Sequence, residues 1–164
     1  MNLADCDWKI EMKKLNFLRL SSDKALVQSK KKYFVGNAWL NDISDKLQIK
    51  GEKVYLANFN NGARTKVHYH QGGQILVVTK GKGMLVIYKK TSIKKETVKI
   101  EKLSQTNLEE GDIAFIPKNI FHWHGAIEGK NFAHVALNIF TEKAKEAQTI
   151  WYESDFTSYA KKIK

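Results

Sequence analysis

Short runs of β-branched and aromatic residues, each followed by turn-forming residues, constrain the fold of this chain most strongly. Such runs predict strands, and their regular recurrence predicts an antiparallel sandwich or barrel. The runs are Val54–Ala57, Gln74–Val78, Met84–Tyr88, Ile113–Ile116 and Phe132–Leu137. The turn signals between them are Asn60–Gly62, Gly72–Gly73, Gly81–Gly83 and Glu110–Asp112. The middle of the chain is therefore predicted to be all-β.

The two ends of the chain differ from its middle. A length of 164 residues predicts one domain, and no repeat or linker divides it. We expect residues 1–32 to form an N-terminal extension and residues 33–164 to form the domain. Within the extension, a helix over Trp8–Leu15 competes with a strand over Leu15–Leu20, and periodicity does not decide between them.

A short C-terminal helix is predicted after Phe140. Thr141 can cap it and Glu142 lies in its first turn. Its apolar face would hold Ala144, Ala147, Ile150 and Trp151. A second short turn or helix is predicted around residues 154–159. Between the central strands, residues 89–102 alternate in character and predict a long exposed hairpin arm.

The net charge of +11 suggests an anionic partner, but the kind of basic residue does not support one. Arg19 and Arg64 are the only arginines, whereas reading of phosphates and bases favours arginine, and the lysines are scattered. We therefore expect a solvated basic surface and no nucleic-acid partner. No apolar stretch is long enough to span a membrane, and Cys6 is the only cysteine, which excludes an intrachain disulfide. A cytoplasmic protein without a membrane partner is predicted.

All five histidines lie in or beside predicted central strands. His68 and His70 are two residues apart, as are His122 and His124, and the fifth is His134. Residues two apart on a strand project to the same face, so each pair should point together. Several neutral imidazoles that converge inside a core favour a bound cation. Spacing alone does not decide whether His122 or His124 is the ligand.

The residues around the first histidine pair extend this site. Gly72–Gly73 predicts a hairpin that returns the chain from His70 onto Gln74, whose amide oxygen would then lie near the histidines. An ordinary polar residue at a strand start is equally compatible with Gln74. Alternation places Tyr69 and Trp123 on the face opposite the histidines, where outward aromatic residues would suit subunit packing.

Two segments of the chain resemble the paired signature of the cupin superfamily. The first signature is Gly, five residues, His-x-His, three or four residues, Glu or Gln, six residues, Gly. The positions that match it are Gly62, His68, His70, Gln74 and Gly81. The second is Gly, five residues, Pro-x-Gly, two residues, His. Gly111, Pro117 and His122 match it, with Asn119 where glycine is usual. Asparagine tolerates the left-handed conformation that this turn needs.

This resemblance implies a double-stranded β-helix, or jelly-roll, barrel that binds a divalent metal ion. The ligands that it implies are His68, His70, Gln74 and His122. It places His124 and His134 beside the metal, as catalytic acid–base groups or as hydrogen-bonding partners of the ligands. The ligand types suit Mn²⁺ or Fe²⁺, and Zn²⁺, Ni²⁺ and Co²⁺ are also compatible.

Further strings are similar to those of small bacterial cupins, a group that includes manganese-dependent hydroxynitrile lyases. They include Phe34–Trp39, His122–Ala126 and His134–Leu137. The likeness implies a lyase or decarboxylase-like enzyme that acts on a small oxygenated substrate, and a homodimer. The alternatives are an iron-dependent dioxygenase and a cupin that binds a small molecule without catalysis.

Overall fold

The computed structural model of the protein describes residues 13–16, 19–20, 32–141, 148–154 and 158–164. Cys6, the start of the predicted Trp8–Leu15 helix and residues 142–147 of the predicted C-terminal helix lie outside these ranges. The described part holds ten strands and one short helix. The elements are β1 Phe34–Asp42, α1 Ile43–Leu47, β2 Lys53–Thr65, β3 Val67–His70, β4 Gln74–Lys94, β5 Thr97–Glu109, β6 Ile113–Ile116, β7 Phe121–Ala126, β8 Phe132–Asn138, β9 Thr149–Ser154 and β10 Tyr159–Lys162.

All strand pairings are antiparallel, and two long strands join two layers. β2 and β4 both pair with β8 through their first halves and with β7 further along. β1, β8 and β6 therefore belong to one layer, and β7, β3, β9, β10 and β5 belong to the other. A core around Phe59, Leu76 and Phe132 fills the space between the layers. The predicted all-β jelly-roll architecture is confirmed.

Two of the predicted turns are bends within continuous strands. β2 passes through Asn61 and Gly62, and β4 passes through Gly81, all three with positive φ. At Gly81 (φ 78°), a Cβ would lie 2.1 Å from the Asn131 carbonyl oxygen, so only glycine fits. A left-handed residue inside a paired strand bends it without reversing it, as in a β-bulge. These bends let β2 and β4 pass from one layer to the other.

The prediction that the strand of the first histidine pair forms a hairpin with the strand of Gln74 is wrong. Gly72 and Gly73 do separate β3 from β4, but β3 pairs with β7 and β9. The chain crosses between the layers at this turn, so the two strands are not neighbours in a sheet. The Glu110–Asp112 turn is present, because the Asp112 amide donates to the Glu109 carbonyl oxygen at 3.0 Å.

The predicted arm over residues 89–102 is confirmed as the distal part of the β4–β5 hairpin. Val98 and Ile100 are buried and alternate with exposed residues. They belong to a second core, outside the barrel, with Tyr152 of β9 and Ala160 of β10. Tyr69 and Trp123, expected on the face opposite the histidines, pack half-buried against this second core. Their outward faces are therefore covered largely by the chain itself.

The structure corrects the prediction for the C-terminus. Ile150 and Trp151 lie in β9, paired with β3, and Tyr159 begins β10. The run Thr149–Tyr152 is β-branched and aromatic, and its pairing with β3 overrides the helical spacing of its apolar residues. In the N-terminal extension, the described residues fit neither of the two alternatives left open: residues 13–16 have no regular secondary structure, and residues 19–20 are helical, with the Leu20 amide donating to the Asn16 carbonyl oxygen at 3.2 Å. Among the described residues, no helix is long and apolar enough to cross a membrane.

A substitution at Gly125 tests how closely β2 and β7 approach. A Cβ at Gly125 would lie 2.3 Å from the Arg64 Cβ and 2.4 Å from its Cα, so Gly125→Ala must push the two strands apart. We expect the free energy of unfolding to fall by about 2 kcal/mol or more, measured by urea denaturation. Gly129→Ala is the control, because nothing lies within 4 Å there and only its φ of 72° opposes the change. Equal losses in both variants would contradict the close approach.

Candidate metal centre

Three strands and one strand start bring together all six side chains of the predicted site. His68 and His70 lie on β3, His122 and His124 on β7, and His134 on β8, while Gln74 is the first residue of β4. Each of these six residues is at most 5% exposed. Strand alternation turns both histidine pairs inward, as predicted. β3 and β7 pair at His68 and His122, which aligns the two pairs side by side.

The imidazole rings form one compact cluster. The ring centroid of His68 lies 4.2 Å from that of His122 and 5.0 Å from that of His70. The potential ligand nitrogens of His68, His122 and His124 all lie within 4.8 Å of one another, and these three histidines could hold a metal ion. His70 is adjacent, with its ring centroid 5.6 Å from that of His122. The cluster therefore includes His124 as closely as the histidines that the resemblance implies as ligands.

Hydrogen bonds at Nδ1 fix the direction of three of these rings. His68 Nδ1 lies 2.9 Å from the Lys66 carbonyl oxygen, and His122 Nδ1 lies 2.8 Å from the Ile120 carbonyl oxygen. A carbonyl oxygen only accepts, so Nδ1 carries the proton and Nε2 keeps its lone pair in both rings. His70 Nδ1 is 2.9 Å from Thr149 Oγ1. This arrangement matches the way metal-binding histidines are held by their other nitrogen.

Several buried polar atoms in this cluster have no hydrogen-bond partner. Four of them are Nε2 of His70, His122 and His124 and Oε1 of Gln74, and a fifth is Nδ1 of His134. The Gln74 amide is oriented by Asn138, whose Oδ1 accepts a hydrogen bond from Gln74 Nε2 at 2.9 Å. A buried polar atom without a partner costs roughly 1–3 kcal/mol, so several together are unfavourable in an apolar core. Lone pairs from nitrogen and amide oxygen are suitable ligands for a divalent cation, so the residues fit such an ion.

The remaining two histidines form a pair. His134 Nε2 lies 3.1 Å from His124 Nδ1, so one nitrogen donates and the other accepts. The His134 ring stacks on Phe59 at a centroid distance of 5.6 Å. The backbone of His124 is held by Thr65, whose Oγ1 accepts from the His124 amide and donates to its carbonyl oxygen. These contacts leave two nitrogens of the pair without a hydrogen-bond partner, His124 Nε2 and His134 Nδ1.

Burial keeps the histidines neutral. It lowers the pKa of His122 and of His134 from 6.5 to about 4. Burial and the neighbouring His122 lower the pKa of His70 to about 3. The pKa values of His68 and His124 are also well below 6.5, chiefly because both rings are buried. Neutral imidazole is the form that binds metal, so at pH 7 these rings need lose no proton to do so.

A cavity of about 210 Å³ opens beside the histidines. Its walls are mostly apolar, with Phe34, Tyr55, Phe59 and Trp151 among them. No lysine, arginine, aspartate or glutamate is among the described residues that line it. The volume is below the ~300–1,000 Å³ of typical drug-sized pockets, so a ligand must be small.

Sequence reasoning missed three residues of this site. Trp151 stacks on His68 at a centroid distance of 4.3 Å, Thr149 contacts His70, and Asn138 orients Gln74. The β-branched and aromatic run beginning at Thr149 was a strand signal that could have identified the first two. Nothing in the sequence pattern marks Asn138 as a partner of Gln74.

The turn before β7 has the conformation predicted from the second motif. Asn119 has φ of 63°, in the left-handed region where asparagine replaces glycine at little cost. Its amide donates to the His70 carbonyl oxygen at 2.8 Å, which ties this turn to the end of β3. The turn thus positions His122 relative to His70.

The depressed histidine pKa values predict loss of stability in mild acid. The unfolded chain binds protons at these histidines below about pH 6.5, whereas the folded chain does not, so stability falls as the pH decreases from 6.5 to about 4. His122 and His134 should each cost roughly 3 kcal/mol over this window. Urea unfolding of the chelator-treated protein at several pH values measures this, and His134→Asn should give a shallower pH dependence. A constant free energy of unfolding between pH 7 and 5 would refute the prediction.

Both a family profile and a solved structure similar to this chain are cupins. A sequence profile of the family described as Cupin matches residues 44–161. A cupin-like protein from Thermotoga maritima has a solved structure with a TM-score of 0.60 and 30% identity, and the match covers 77% of this chain and 84% of that chain. No curated protein matches the chain in sequence.

Oxalate decarboxylase from Bacillus subtilis is similar in fold. One variant is 15% identical with a TM-score of 0.54, covering 81% of this chain and 31% of the enzyme. A structure concerned with the Mn(II) centres of that enzyme is 16% identical with a TM-score of 0.50, covering 69% of this chain and 27% of the enzyme. The chain thus spans less than a third of oxalate decarboxylase, and at this identity the likeness concerns the fold alone. Profile, Thermotoga relative and barrel together establish that this chain belongs to the cupin family.

Proposed function

We propose that this cupin is a metal-dependent enzyme of lyase type that acts on a small, neutral, oxygenated substrate. The proposed metal ligands are His68, His70, Gln74 and His122, and the proposed acid–base groups are His124 and His134. One observation carries the proposal: the buried Nε2 atoms of His70 and His122 and the Oε1 atom of Gln74 have no hydrogen-bond partner, and they belong to one histidine cluster beside a small cavity. A divalent cation would satisfy the lone pairs of these atoms.

The proposed ligand set is neutral throughout. Three imidazoles and an amide oxygen would leave the full charge of the ion in place, whereas a carboxylate ligand would cancel part of it. A bound ion would supply Lewis-acid chemistry, polarising an oxygen atom of the substrate. Mn²⁺ and Fe²⁺ suit this mixture of nitrogen and oxygen ligands. Zn²⁺, Ni²⁺ and Co²⁺ remain compatible with the ligand types.

The paired histidines provide a route for a proton. His124 Nδ1 and His134 Nε2 share one hydrogen bond, and His124 Nε2 has no partner. When His124 Nδ1 holds the shared proton, its Nε2 can accept a proton from a substrate hydroxyl. The Nδ1 proton can then pass along the hydrogen bond to His134 Nε2, so the positive charge is shared by the two rings. Return of the proton along the same path completes general acid–base catalysis.

The lining of the cavity favours a neutral substrate over a dicarboxylate. Arg64 is one of two arginines in the chain, and its guanidinium lies over the Trp123 ring at 5.3 Å, on the outer side of β7. No cationic side chain is among the described residues lining the cavity, so a second carboxylate would have no counter-charge. Phe34 and Trp151 offer aromatic surface for an apolar substituent. An α-hydroxynitrile with a small aromatic group meets these conditions and agrees with the hydroxynitrile lyase-like sequence strings.

Metal content tests the ligand assignment. The protein purified without chelator should contain close to one divalent ion per chain by elemental analysis, and His68→Ala and His122→Ala should lose it. Asn138→Leu removes the acceptor that orients Gln74 and should weaken metal binding roughly 10–100-fold. Tyr69→Phe is the control, because Tyr69 lies between two proposed ligands but faces the second core. Metal retained by both histidine variants would refute the assignment.

Turnover tests the reaction class. The Mn²⁺-loaded protein should release benzaldehyde from its cyanohydrin, followed by ultraviolet absorbance, and should release no CO₂ from oxalate. His134→Asn should keep its metal and lower kcat by about 10²–10⁴-fold, since it removes one acid–base group. Oxygen consumption by the Fe²⁺-loaded protein would favour a dioxygenase instead. A metal-loaded protein that binds the cyanohydrin without cleaving it would favour a non-catalytic binding protein.

A further inference from the structure

A short strand at the edge of the barrel presents large apolar side chains to solvent. β6 lies at the end of the strand order, and in the described ranges it pairs with β4 alone. Ile113 is 73% exposed and Phe115 is 60% exposed. Natural edge strands are usually protected by charged residues, proline or bulges, and residues Ile113–Ile116 include neither a charged residue nor a proline. This composition is typical of an edge that another strand covers.

The backbone groups of the same two residues point toward the open edge. The Val78 amide donates to the Asp112 carbonyl oxygen at 2.9 Å, so Asp112 faces β4. In an antiparallel strand, successive residues direct their backbone groups alternately to either side. Ala114 therefore also faces β4, whereas Ile113 and Phe115 face away. Two N–H and two C=O groups are thus positioned to pair with an additional strand.

One register allows this strand to pair with a second copy of itself. Antiparallel pairing centred on Ala114 places Ile113 opposite Phe115 of the second copy, and Phe115 opposite Ile113. Both are hydrogen-bonded positions, which gives four N–H···O bonds and two cross-strand contacts between isoleucine and phenylalanine. A register centred on Phe115 is worse, because it places Ile113 opposite Pro117, which has no N–H.

The charges that flank β6 are complementary in the same register. Glu110 and Lys118 lie four residues on either side of Ala114, and both are exposed. Glu110 lies in the turn before β6 and Lys118 in the turn after it, so pairing centred on Ala114 brings the turn that carries Glu110 close to the turn that carries Lys118 in the other copy. Two chains that each carry a net charge of +11 repel one another, so local attraction at the contact is needed. A strand that is complementary to itself about a central residue is what a two-fold interface requires.

We propose that this chain forms a two-fold homodimer in which β6 pairs with β6 of a second copy, centred on Ala114. The pairing joins the β1–β2–β8–β4–β6 layers of the two barrels into one continuous sheet. Ile113 and Phe115 are the apolar contacts, and Glu110 and Lys118 are the charged contacts at the ends. The proposal does not depend on the metal or on the reaction, since none of these residues lines the cavity beside the histidines.

Sedimentation velocity of the full chain tests the dimer. The protein should sediment at twice its chain mass of 18.8 kDa, and Ile113→Lys should shift it to the monomer. Ile93→Lys is the matched control: Ile93 is a 61% exposed isoleucine on the hairpin arm, and its replacement should leave the dimer intact. Glu110→Lys and Lys118→Glu should each weaken the dimer at low salt, and the double variant should restore it. Circular dichroism checks that every variant is folded.

A disulfide at the two-fold axis tests the register. In a Cys6→Ser background, Ala114→Cys should give a covalent dimer on oxidation, because facing residues at a non-hydrogen-bonded position have Cα atoms about 4.5 Å apart, within disulfide range. Ile93→Cys in the same background should give little covalent dimer. A monomer at 50–100 µM, or a dimer that survives Ile113→Lys and is not crosslinked through Ala114→Cys, would overturn the proposal.

Discussion

The structure depends on keeping five imidazoles neutral and aligned inside a closed barrel. Each ring is almost fully removed from water, which lowers its pKa and makes any unpaired nitrogen costly. The fold meets this demand at one nitrogen of each of three rings through backbone carbonyls or Thr149. The candidate ligand nitrogens of His68 and His122 lie within 4.8 Å of each other. A site of this kind cannot form from one strand, because the five rings come from three strands, β3, β7 and β8.

Close contact between β2 and β7 holds this arrangement. Gly125 has no side chain, which allows the backbone at Arg64 to approach it, and the neighbouring Thr65 binds both backbone groups of His124. Because β7 carries two of the cluster histidines and also pairs with β3 and β4, a shift at Gly125 would move them relative to His68. The position of the candidate metal centre is therefore coupled to the closure of the barrel.

Sequence reasoning predicted the parts of the site that obey local periodicity and failed where contacts are long-range. Alternation within strands placed both histidine pairs correctly, and the family motifs predicted the left-handed Asn119. Ile150 and Trp151, expected on the apolar face of a C-terminal helix, lie in a strand instead, because their long-range pairing with β3 overrides the helical spacing of the apolar residues. Gln74 lies in the site as predicted, although β3 and β4 do not pair in the hairpin from which its position was inferred. The role of Asn138 could not be predicted from local sequence patterns, because its partner, Gln74, is distant in sequence.

On the proposed function, the neutrality of the cavity bears on catalysis as well as on binding. If the ligands and walls carry no negative charge, the positive charge of a bound ion is balanced only by the substrate. An anionic substrate would neutralise the positive charge of the ion as soon as it binds. Such stabilisation of the bound ground state does not accelerate the reaction. A neutral substrate would develop negative charge next to the ion only as its hydroxyl proton moves to His124 Nε2. The same electrostatic attraction then acts mainly on the transition state, which favours a substrate that enters without charge.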